Sequence, residues 1–449
     1  MVRKEQERVL GGFGPEWISE RFEVSKTSGQ FMIDGVPLDT IASQIQPPFF
    51  VYSAQDIIDR YQGLERVLKP NNVNIYYSLK ANTSLAIVTG LVKLGAGLEV
   101  ASIGELEAAR AAGADPKKVS FAGPVKTAEE LEYAIEWGVG GINVESEREF
   151  ERINEIAERL GKRQTVGIRV NPEQQVSEAG GYMGGGSQKF GIDVEKIDAK
   201  FVDRLHSLPN IDLTGIHVFA ATQMLNKEAF LTNLNNVCEI GQKLNELFKI
   251  RYIDFGGGLG IPYKQSAKKL PIVDIARSIG GATGKYSFLK ENDTLMYVEP
   301  GRYLVGPSGI YVARVDHVKD SRGEQFVMVD GGWHHMMRPS PKMPFGSHPI
   351  YNLSRLWDNK TQPMTVAGSL CTSIDMLGQN IPLPTGTREG DFIGVFNAGA
   401  YGRSQSPRDF LSHPTAAEVL VGDGKFAVIR PSEHPRDLLR NQTVPENLL

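Results

Sequence analysis

Short apolar runs alternate with amphipathic segments along the first two thirds of the chain. Eight runs rich in β-branched and aromatic residues predict strands at residues 74–79, 98–102, 119–123, 141–145, 165–170, 213–219, 252–255 and 295–299. Segments with apolar residues three and four positions apart predict helices between most of these strands. Eight strand–helix units predict a (β/α)8 barrel, whereas an open doubly wound sheet would need a reversal of strand order that the pattern does not indicate.

The pattern changes after about residue 303. Strand-like runs then follow one another without helices, at 310–315, 325–329, 364–368, 391–397 and 418–430, the last around a Gly-Asp-Gly-Lys turn typical of a hairpin. We therefore predict a barrel over 48–302, a C-terminal all-β domain of Greek-key or barrel-like type over 303–449, and an N-terminal segment, 1–47, that joins the β domain. Residues 332–356 lack periodicity and predict a long functional loop.

The composition excludes several classes of protein. A net charge of −4 and a pI near 6.1 argue against nucleic acid or an anionic membrane as the main partner. Only two cysteines and no uninterrupted apolar stretch at the N-terminus predict a cytoplasmic protein without a disulfide framework, signal peptide or membrane span. The adjacent His334 and His335 have no cysteine or carboxylate at a zinc-binding spacing, so we predict no metal site.

The carboxyl ends of barrel strands usually carry the functional groups. In the predicted barrel these ends carry Lys80, Ser102, Asn171, Thr222, Gly256, Gly257, Gly258 and Glu299. Lys80 is either a solvated lysine or, if the barrel mouth excludes water, an amine that can form an imine. The glycine triplet predicts either a tight turn or a loop whose backbone N–H groups bind a phosphate.

Four further residues also have two interpretations. Glu299 and Arg302 are either a structural ion pair or groups that bind a protonated ring nitrogen and an anion. His217 and Phe219 share one face of a predicted strand and are either core residues or site residues. A lone cysteine such as Cys371 is most often a small buried apolar residue.

An ordered set of motifs removes much of this ambiguity. They are YYSLKAN (76–82), GLEVASIGEL (97–106), RVNP (169–172), QKFGI (188–192), GGG (256–258), EPGR (299–302), VDGGWHHMMRP (329–339) and GAY (399–401). Each is weak alone, but together, from about Pro48 to Pro414, they resemble the fold-type III pyridoxal-phosphate decarboxylases, the ornithine/diaminopimelate/arginine decarboxylase family. Glu99 stands where that family usually has aspartate.

The resemblance implies pyridoxal 5′-phosphate as the cofactor and a role for each matching residue. Lys80 would be the imine lysine, and Glu299 would bind the pyridine nitrogen. The other residues that it places around the cofactor are Ser102, Arg169, Phe219, Thr222, Gly256, Gly257, Gly258, Gly301, Arg302 and Tyr401. It also implies a homodimer with shared active sites, in which Cys371 would reach into the partner subunit's site.

Two departures from the family pattern bear on specificity. The family's H-I-G-S-Q reads Phe219-Ala-Ala-Thr-Gln223, which puts Phe219 where the family's histidine stacks on the cofactor ring. The acidic residue that follows the family's cysteine and binds a distal ammonium is Thr372. Similar departures, with HPT at 413–415 and the double histidine, resemble the branch of the butirosin-pathway decarboxylase of carrier-protein-bound glutamate.

We therefore expect a decarboxylase acting at the α-carbon of an amino acid or amino-acid conjugate, free or tethered to a carrier protein, in an antibiotic- or siderophore-type pathway. A free basic diamino acid is not the expected substrate, and the residues expected to meet the substrate are His217, Arg338, Thr372 and Asp375. The alternatives are a diaminopimelate decarboxylase of lysine biosynthesis, a racemase of the same fold type, and a non-catalytic cofactor-binding regulator. A racemase would need a second base opposite the lysine, and a regulator would not need Cys371.

Overall fold

The structure, a computed structural model, describes residues 18–25, 27–173, 181–182, 185–219, 221–264, 267–340 and 347–446. Residues 1–17 of the predicted N-terminal segment and 341–346 of the predicted loop lie outside these ranges. The chain divides into two compact units, which we call the barrel unit (Ile58–Pro262 and Lys268–Leu304) and the β unit (Met1–Ile57, Tyr263–Ala267 and Val305–Leu449).

The barrel unit contains eight parallel strands, which confirms the predicted fold. They are β1 (Val73–Ser78), β2 (Gly97–Val100), β3 (Val119–Phe121), β4 (Gly141–Val144), β5 (Gln164–Asn171), β6 (Ile211–His217), β7 (Tyr252–Asp254) and β8 (Leu295–Val298). Each pairs with the next along the chain, and β8 pairs with β1, so the sheet closes. Short strands add to it: Gly181–Tyr182 pairs with Ala221–Thr222, and Ile192–Asp193 pairs with β5.

Helices separate most of the barrel strands, as the apolar periodicity predicts. The α-helices between residues 54 and 305 are Ala54–Leu68, Leu85–Leu94, Ile103–Ala111, Ala128–Trp137, Glu147–Arg159, Ala199–His206, Lys227–Leu244, Ile272–Thr283, Phe288–Glu291 and Arg302–Val305. Shorter 3₁₀ turns lie at Lys69–Asn71, Leu79–Ala81, Pro116–Lys118 and Val194–Lys196. Among the described residues, no helix is both long enough and apolar enough to cross a membrane.

Two tyrosine rings occupy space that strand glycines leave inside the barrel. A Cβ at Gly215 of β6 would overlap the ring of Tyr252, and one at Gly97 of β2 would lie 2.8 Å from the ring of Tyr76. The buried Tyr252 hydroxyl donates a hydrogen bond of 3.1 Å to Asn143. These glycines therefore serve packing, because any side chain there would displace a ring.

The β unit confirms the predicted all-β region. Its strands are Phe22–Val24, Phe31–Ile33, Val36–Pro37, Phe49–Ser53, Gly309–Ser321, Glu324–Val329, Ile350–Asn352, Thr361–Ala367, Met376–Pro384, Phe392–Val395, Ala417–Gly422 and Lys425–Arg430, with helical segments Leu38–Gln44, Phe410–Ser412 and Pro435–Leu439. The predicted hairpin is present, and Asp423 and Gly424 at its turn have φ of 51° and 67°. The pattern does not predict Ile350–Asn352 or Met376–Pro384, since the former is very short and the latter contains strand-disfavouring Gly378, Asn380 and Pro382.

One strand lies in a different unit from the one its sequence predicts. Phe49–Ser53 falls in the range predicted for the barrel, yet it pairs antiparallel with Gly309–Ser321 and parallel with Ala417–Gly422. All five of its residues are buried, and a helix follows it, so its local pattern is that of a barrel strand. Only its pairing partners, hundreds of residues away, place it in the β unit.

Candidate active site

Lys80 lies directly after β1, in the turn Leu79–Ala81. Its Nζ is 3.2 Å from Glu99 Oε2, and the Ser78 hydroxyl donates a hydrogen bond to the same oxygen. The Lys80 side chain is 41% exposed, whereas Glu99 is buried. A buried carboxylate on β2 thus holds the ammonium at the open rim of the barrel.

A second acid near Lys80 has no counterpart in the sequence prediction. Glu105, in the helix Ile103–Ala111, accepts a hydrogen bond of 2.7 Å from the Ala101 N–H. Burial, with the nearby Glu99 carboxylate, raises the pKa of Glu105 to about 7. Its only sequence signal is its position three residues after Ser102, which indicates helix capping rather than catalysis.

The ends of β6 to β8 bring together a histidine and two carboxylates. His217 Nε2 lies 3.6 Å from Glu299 Oε2, and donor atoms of His217, Glu299 and Asp254 lie within 4.8 Å of one another. Both His217 nitrogens, Asp254 Oδ2 and Glu299 Oε1 are buried without a hydrogen-bond partner in the described part of the chain. Since buried polar atoms are normally paired, the cluster is suited to a polar group from a ligand. The sequence predicts His217 and Glu299 here but not Asp254.

The two buried carboxylates differ in charge. Burial raises the pKa of Asp254 well above its usual range, and the adjacent Glu299 adds to this effect. Burial acts in the same direction on Glu299, but His217 and Lys80 outweigh it and lower the pKa of Glu299 to about 2. The pair therefore carries its negative charge on Glu299, and a buried ionised carboxylate is a suitable partner for a protonated ring nitrogen.

The glycine triplet forms a turn that only glycine fits. A Cβ at Gly257 would lie 2.7 Å from the carbonyl oxygen of Glu299, and one at Gly258 would lie 2.7 Å from that of Ala221. The first and third glycines have φ of 66° and 97°, a region that favours glycine. With no side chains in the way, the backbone of this turn is open to a small anion.

Phe219 lies past the end of β6, which ends two residues earlier than predicted, at His217. Its ring centroid is 5.6 Å from Lys80 Nζ. His217 and Phe219 are therefore not successive positions on one face of the strand. The Phe219 ring contacts Lys80, and the His217 ring contacts Glu299. The stacking role of Phe219 stays a prediction, and His217 supplies a second ring at this rim.

Two residues predicted to bind the cofactor have partners within the barrel unit. The Ser102 hydroxyl accepts the Glu105 N–H and caps a helix. Arg169 forms a buried salt bridge of 2.6 Å with Glu145, and its guanidinium lies 4.6 Å from the ring centroid of Phe190. Each side chain thus has a partner within the barrel unit, and the cofactor contacts of both stay predictions.

The remaining predicted cofactor residues of the barrel unit lie close to the rim. A Cβ at Gly301 would lie 2.8 Å from that of Ala81, beside the Lys80 turn. Arg302 is buried at the start of a short helix. Thr222 lies on the short strand Ala221–Thr222, where it pairs with Gly181.

In the β unit, the Asp375 carboxylate ties two loops together. Its Oδ1 accepts the Trp333 N–H at 2.6 Å, and its Oδ2 accepts the Leu370 N–H at 2.7 Å. Asp375 is buried, while Cys371 is exposed and Thr372 is half-buried. Each Asp375 oxygen thus accepts a backbone N–H, and the contact of Asp375 with substrate stays a prediction.

Three imidazole rings pack in tilted contact in the β unit. The ring centroid of His334 is 3.7 Å from that of His335 and 4.9 Å from that of His413. His335 also makes hydrogen bonds to the Tyr311 hydroxyl and the Pro414 carbonyl. Burial, together with neighbouring imidazoles, lowers the pKa of His334 to about 3 and that of His335 to about 4, so both are neutral near pH 7.

Arg338 and Tyr401 lie side by side in the β unit. The guanidinium carbon of Arg338 is 5.2 Å from the Tyr401 ring centroid, and its Nε donates a hydrogen bond of 2.8 Å to Gln405. The planar cation is thus held by a ring and an amide at the half-exposed surface.

The groups of the barrel unit fit pyridoxal phosphate. Glu299, with an unpartnered buried oxygen, would hold the ring nitrogen, while the glycine turn and Arg302 would hold the phosphate. Lys80 would bind the aldehyde carbon, and Glu99 would position its side chain. When bound, this cofactor supplies a ring that takes up the electron pair left by a departing carboxylate.

Comparisons with known proteins agree with this chemistry. Residues 54–306 match the model of the "Pyridoxal-dependent decarboxylase, pyridoxal binding domain". The chain is 34% identical to the L-glutamyl-[BtrI acyl-carrier protein] decarboxylase of Niallia circulans, over 93% of this chain and 98% of that protein. It is 35% identical to the diaminopimelate decarboxylase of Methanothermobacter thermautotrophicus, over 94% of this chain and 97% of that protein.

Solved structures show the same fold. The diaminopimelate decarboxylase of M. jannaschii, in co-complex with L-lysine, superposes with a TM-score of 0.88 at 30% identity, covering 96% of this chain and 99% of that one. Together with the lysine, glutamate and glycine turn at the barrel rim, these matches show that the chain belongs to the pyridoxal-dependent decarboxylases and is a pyridoxal-phosphate-dependent carboxy-lyase.

Proposed function

We propose that this enzyme decarboxylates the α-carbon of a glutamyl conjugate tethered to a carrier protein, rather than a free diamino acid. The relative from Niallia circulans is named for such a substrate, which supports the proposal. A diaminopimelate decarboxylase activity is the second candidate, since a relative with that name is 35% identical.

The observation that carries the proposal is the chemistry of the Cys371 loop. A distal ammonium in a partly desolvated pocket needs a carboxylate partner. Thr372 offers only a hydroxyl, and the single carboxylate of the stretch 369–375, Asp375, is occupied by the backbone N–H groups of Trp333 and Leu370. The loop is therefore better suited to a neutral distal group such as an amide or thioester.

The rest of the β unit is consistent with that preference. His334 is neutral, and its buried Nδ1, which has no hydrogen-bond partner in the described part of the chain, offers a hydrogen bond without charge. Arg338 adds a positive charge, which favours an anionic or amide-bearing group over a cationic one. We further propose that the enzyme is a homodimer in which Cys371 and Tyr401 of one chain complete the site of the other.

The test is carbon dioxide release by the holoenzyme from lysine, ornithine, diaminopimelate, glutamate and glutamyl conjugates. The three free diamino acids should react roughly a hundredfold or more slowly, since an unpaired buried charge costs about 3–5 kcal/mol. Thr372→Glu should raise the rate with diaminopimelate or ornithine, whereas Ser373→Glu, at the exposed neighbouring residue, should not. Efficient turnover of diaminopimelate by the unmodified enzyme would contradict the proposal and favour the second candidate.

A further inference from the structure

Arg403 in the β unit is largely buried and poorly paired. Its side chain is 14% exposed, and its only ionic partner among the described residues is Glu418, at 3.8 Å from its Nε. That Nε is buried and donates a hydrogen bond to no acceptor in the described part of the chain. The Nε–H is one of the five N–H donors of a guanidinium, and burying it without an acceptor is unfavourable.

Glu418 cannot serve fully as the counter-ion of Arg403. Its Oε1 accepts a hydrogen bond of 2.8 Å from the Tyr52 hydroxyl, and its Oε2 pairs with Arg430. Glu418 is itself buried, with 2% of its side chain exposed. The Glu418 carboxylate is thus shared between Arg403 and Arg430, and it lies closer to Arg430 than to Arg403.

A third cation adds to the positive charge. Burial lowers the pKa of Arg403, and repulsion from Arg430 and Arg408 acts in the same direction, while Glu418 opposes it. Arg403 and Arg430 share the single carboxylate of Glu418, so one positive charge of this ion-pair cluster has no counter-ion of its own. Isolated clusters of this sign are unfavourable unless an anion is bound.

We infer that Arg403, with Arg408 and Arg430, forms a binding site for a phosphate group. A phosphate group supplies the negative charge that the cluster lacks, and the planar guanidinium of Arg403 can donate two parallel hydrogen bonds to it. The site is distinct in composition from the glycine turn and Arg302 of the barrel unit. Its ligand is either a free phosphate compound or the phosphate of a carrier protein's pantetheine arm, and the latter source rests on the proposed function.

The test uses the pyridoxal-phosphate-loaded holoenzyme in phosphate-free buffer, titrated calorimetrically with inorganic phosphate and separately with 4′-phosphopantetheine. We expect saturable binding of one phosphate per chain in addition to the cofactor. Arg403→Gln should weaken it by roughly tenfold to a hundredfold, as expected for loss of a charge-assisted hydrogen bond. Arg388→Gln, at an exposed arginine of the same unit, is the matched control and should bind normally.

Arg408→Gln, at an exposed residue, keeps the test decisive if Arg403→Gln does not fold, and it should weaken binding by a smaller factor. Stronger binding of 4′-phosphopantetheine than of phosphate identifies the tethered source, and equal binding identifies a free one; the site stands in both cases. The inference is overturned if the holoenzyme binds no additional phosphate. It is also overturned if Arg403→Gln loses pyridoxal phosphate itself, because Arg403 would then belong to the cofactor site.

Discussion

The Nζ of Lys80 lies 3.2 Å from the carboxylate of Glu99, the residue that replaces the family's usual aspartate. The glutamate side chain is one methylene longer, yet it is buried and its position is fixed by a hydrogen bond from Ser78. The ammonium is thereby held at the end of β1 before any ligand binds. Preorganisation of this kind reduces the entropy lost when a reactive amine is positioned.

Lys80 should carry the cofactor. The purified holoenzyme should be yellow, and borohydride reduction followed by peptide mass spectrometry should find the pyridoxyl group on Lys80. Lys80→Ala should abolish both the colour and the activity, whereas Lys93→Ala, at an exposed lysine in a helix of the same unit, should change neither. An adduct on any other lysine would refute the assignment.

Glu105 should make the folded state less stable as the pH rises. The pKa of Glu105 is about 7 in the folded state, against a usual value of 4.5, so between these values the unfolded chain binds fewer protons and stability falls. Glu105→Gln should remove this fall while keeping an acceptor for the Ala101 N–H. Urea midpoints at about pH 5 and about pH 8 measure the effect.

Glu107→Gln is the matched control for that experiment, because Glu107 is exposed on the same helix. It should leave the pH dependence of the parent enzyme intact. If Glu105→Gln and the parent lose the same stability between the two pH values, the raised pKa of Glu105 is wrong.

The proposed sharing of the active site between two subunits should be detectable by subunit mixing. Lys80→Ala and Cys371→Ala chains are each expected to be nearly inactive alone. A hybrid dimer would contain one site with both residues intact, so a mixed sample should recover up to about a quarter of the parent activity if chains exchange at random. Absence of recovery, with subunit exchange demonstrated by differently tagged chains, would indicate that each chain builds its own site.

Gly215→Ala should destabilise the barrel unit, because the added methyl group would overlap the Tyr252 ring. Overpacking of this kind costs about 1–3 kcal/mol, measured as a lower urea midpoint. Gly281→Ala, in the helix Ile272–Thr283 with nothing within 4 Å of its Cβ, is the control and should be neutral or stabilising. Equal stability of the two variants would mean that Tyr252 can move at little cost.

Local pattern determines much of this protein. All eight barrel strands and the hairpin at Asp423-Gly424 are predicted from the sequence, because apolar periodicity and turn chemistry act over a few residues. The ordered motifs around Lys80, the glycine triplet and Glu299 likewise indicate the cofactor and the reaction class. These features need no knowledge of what lies elsewhere in the chain.

Tertiary structure alone decided the rest, because it depends on segments that are distant in sequence. Phe49–Ser53 has the pattern of a barrel strand but pairs with strands that begin at residues 309 and 417. Asp254 becomes a site residue only because β7 lies between the strands that end near His217 and Glu299. Asp375 follows Cys371 by four residues, yet its carboxylate accepts the Trp333 N–H, and no local sequence pattern predicts that contact.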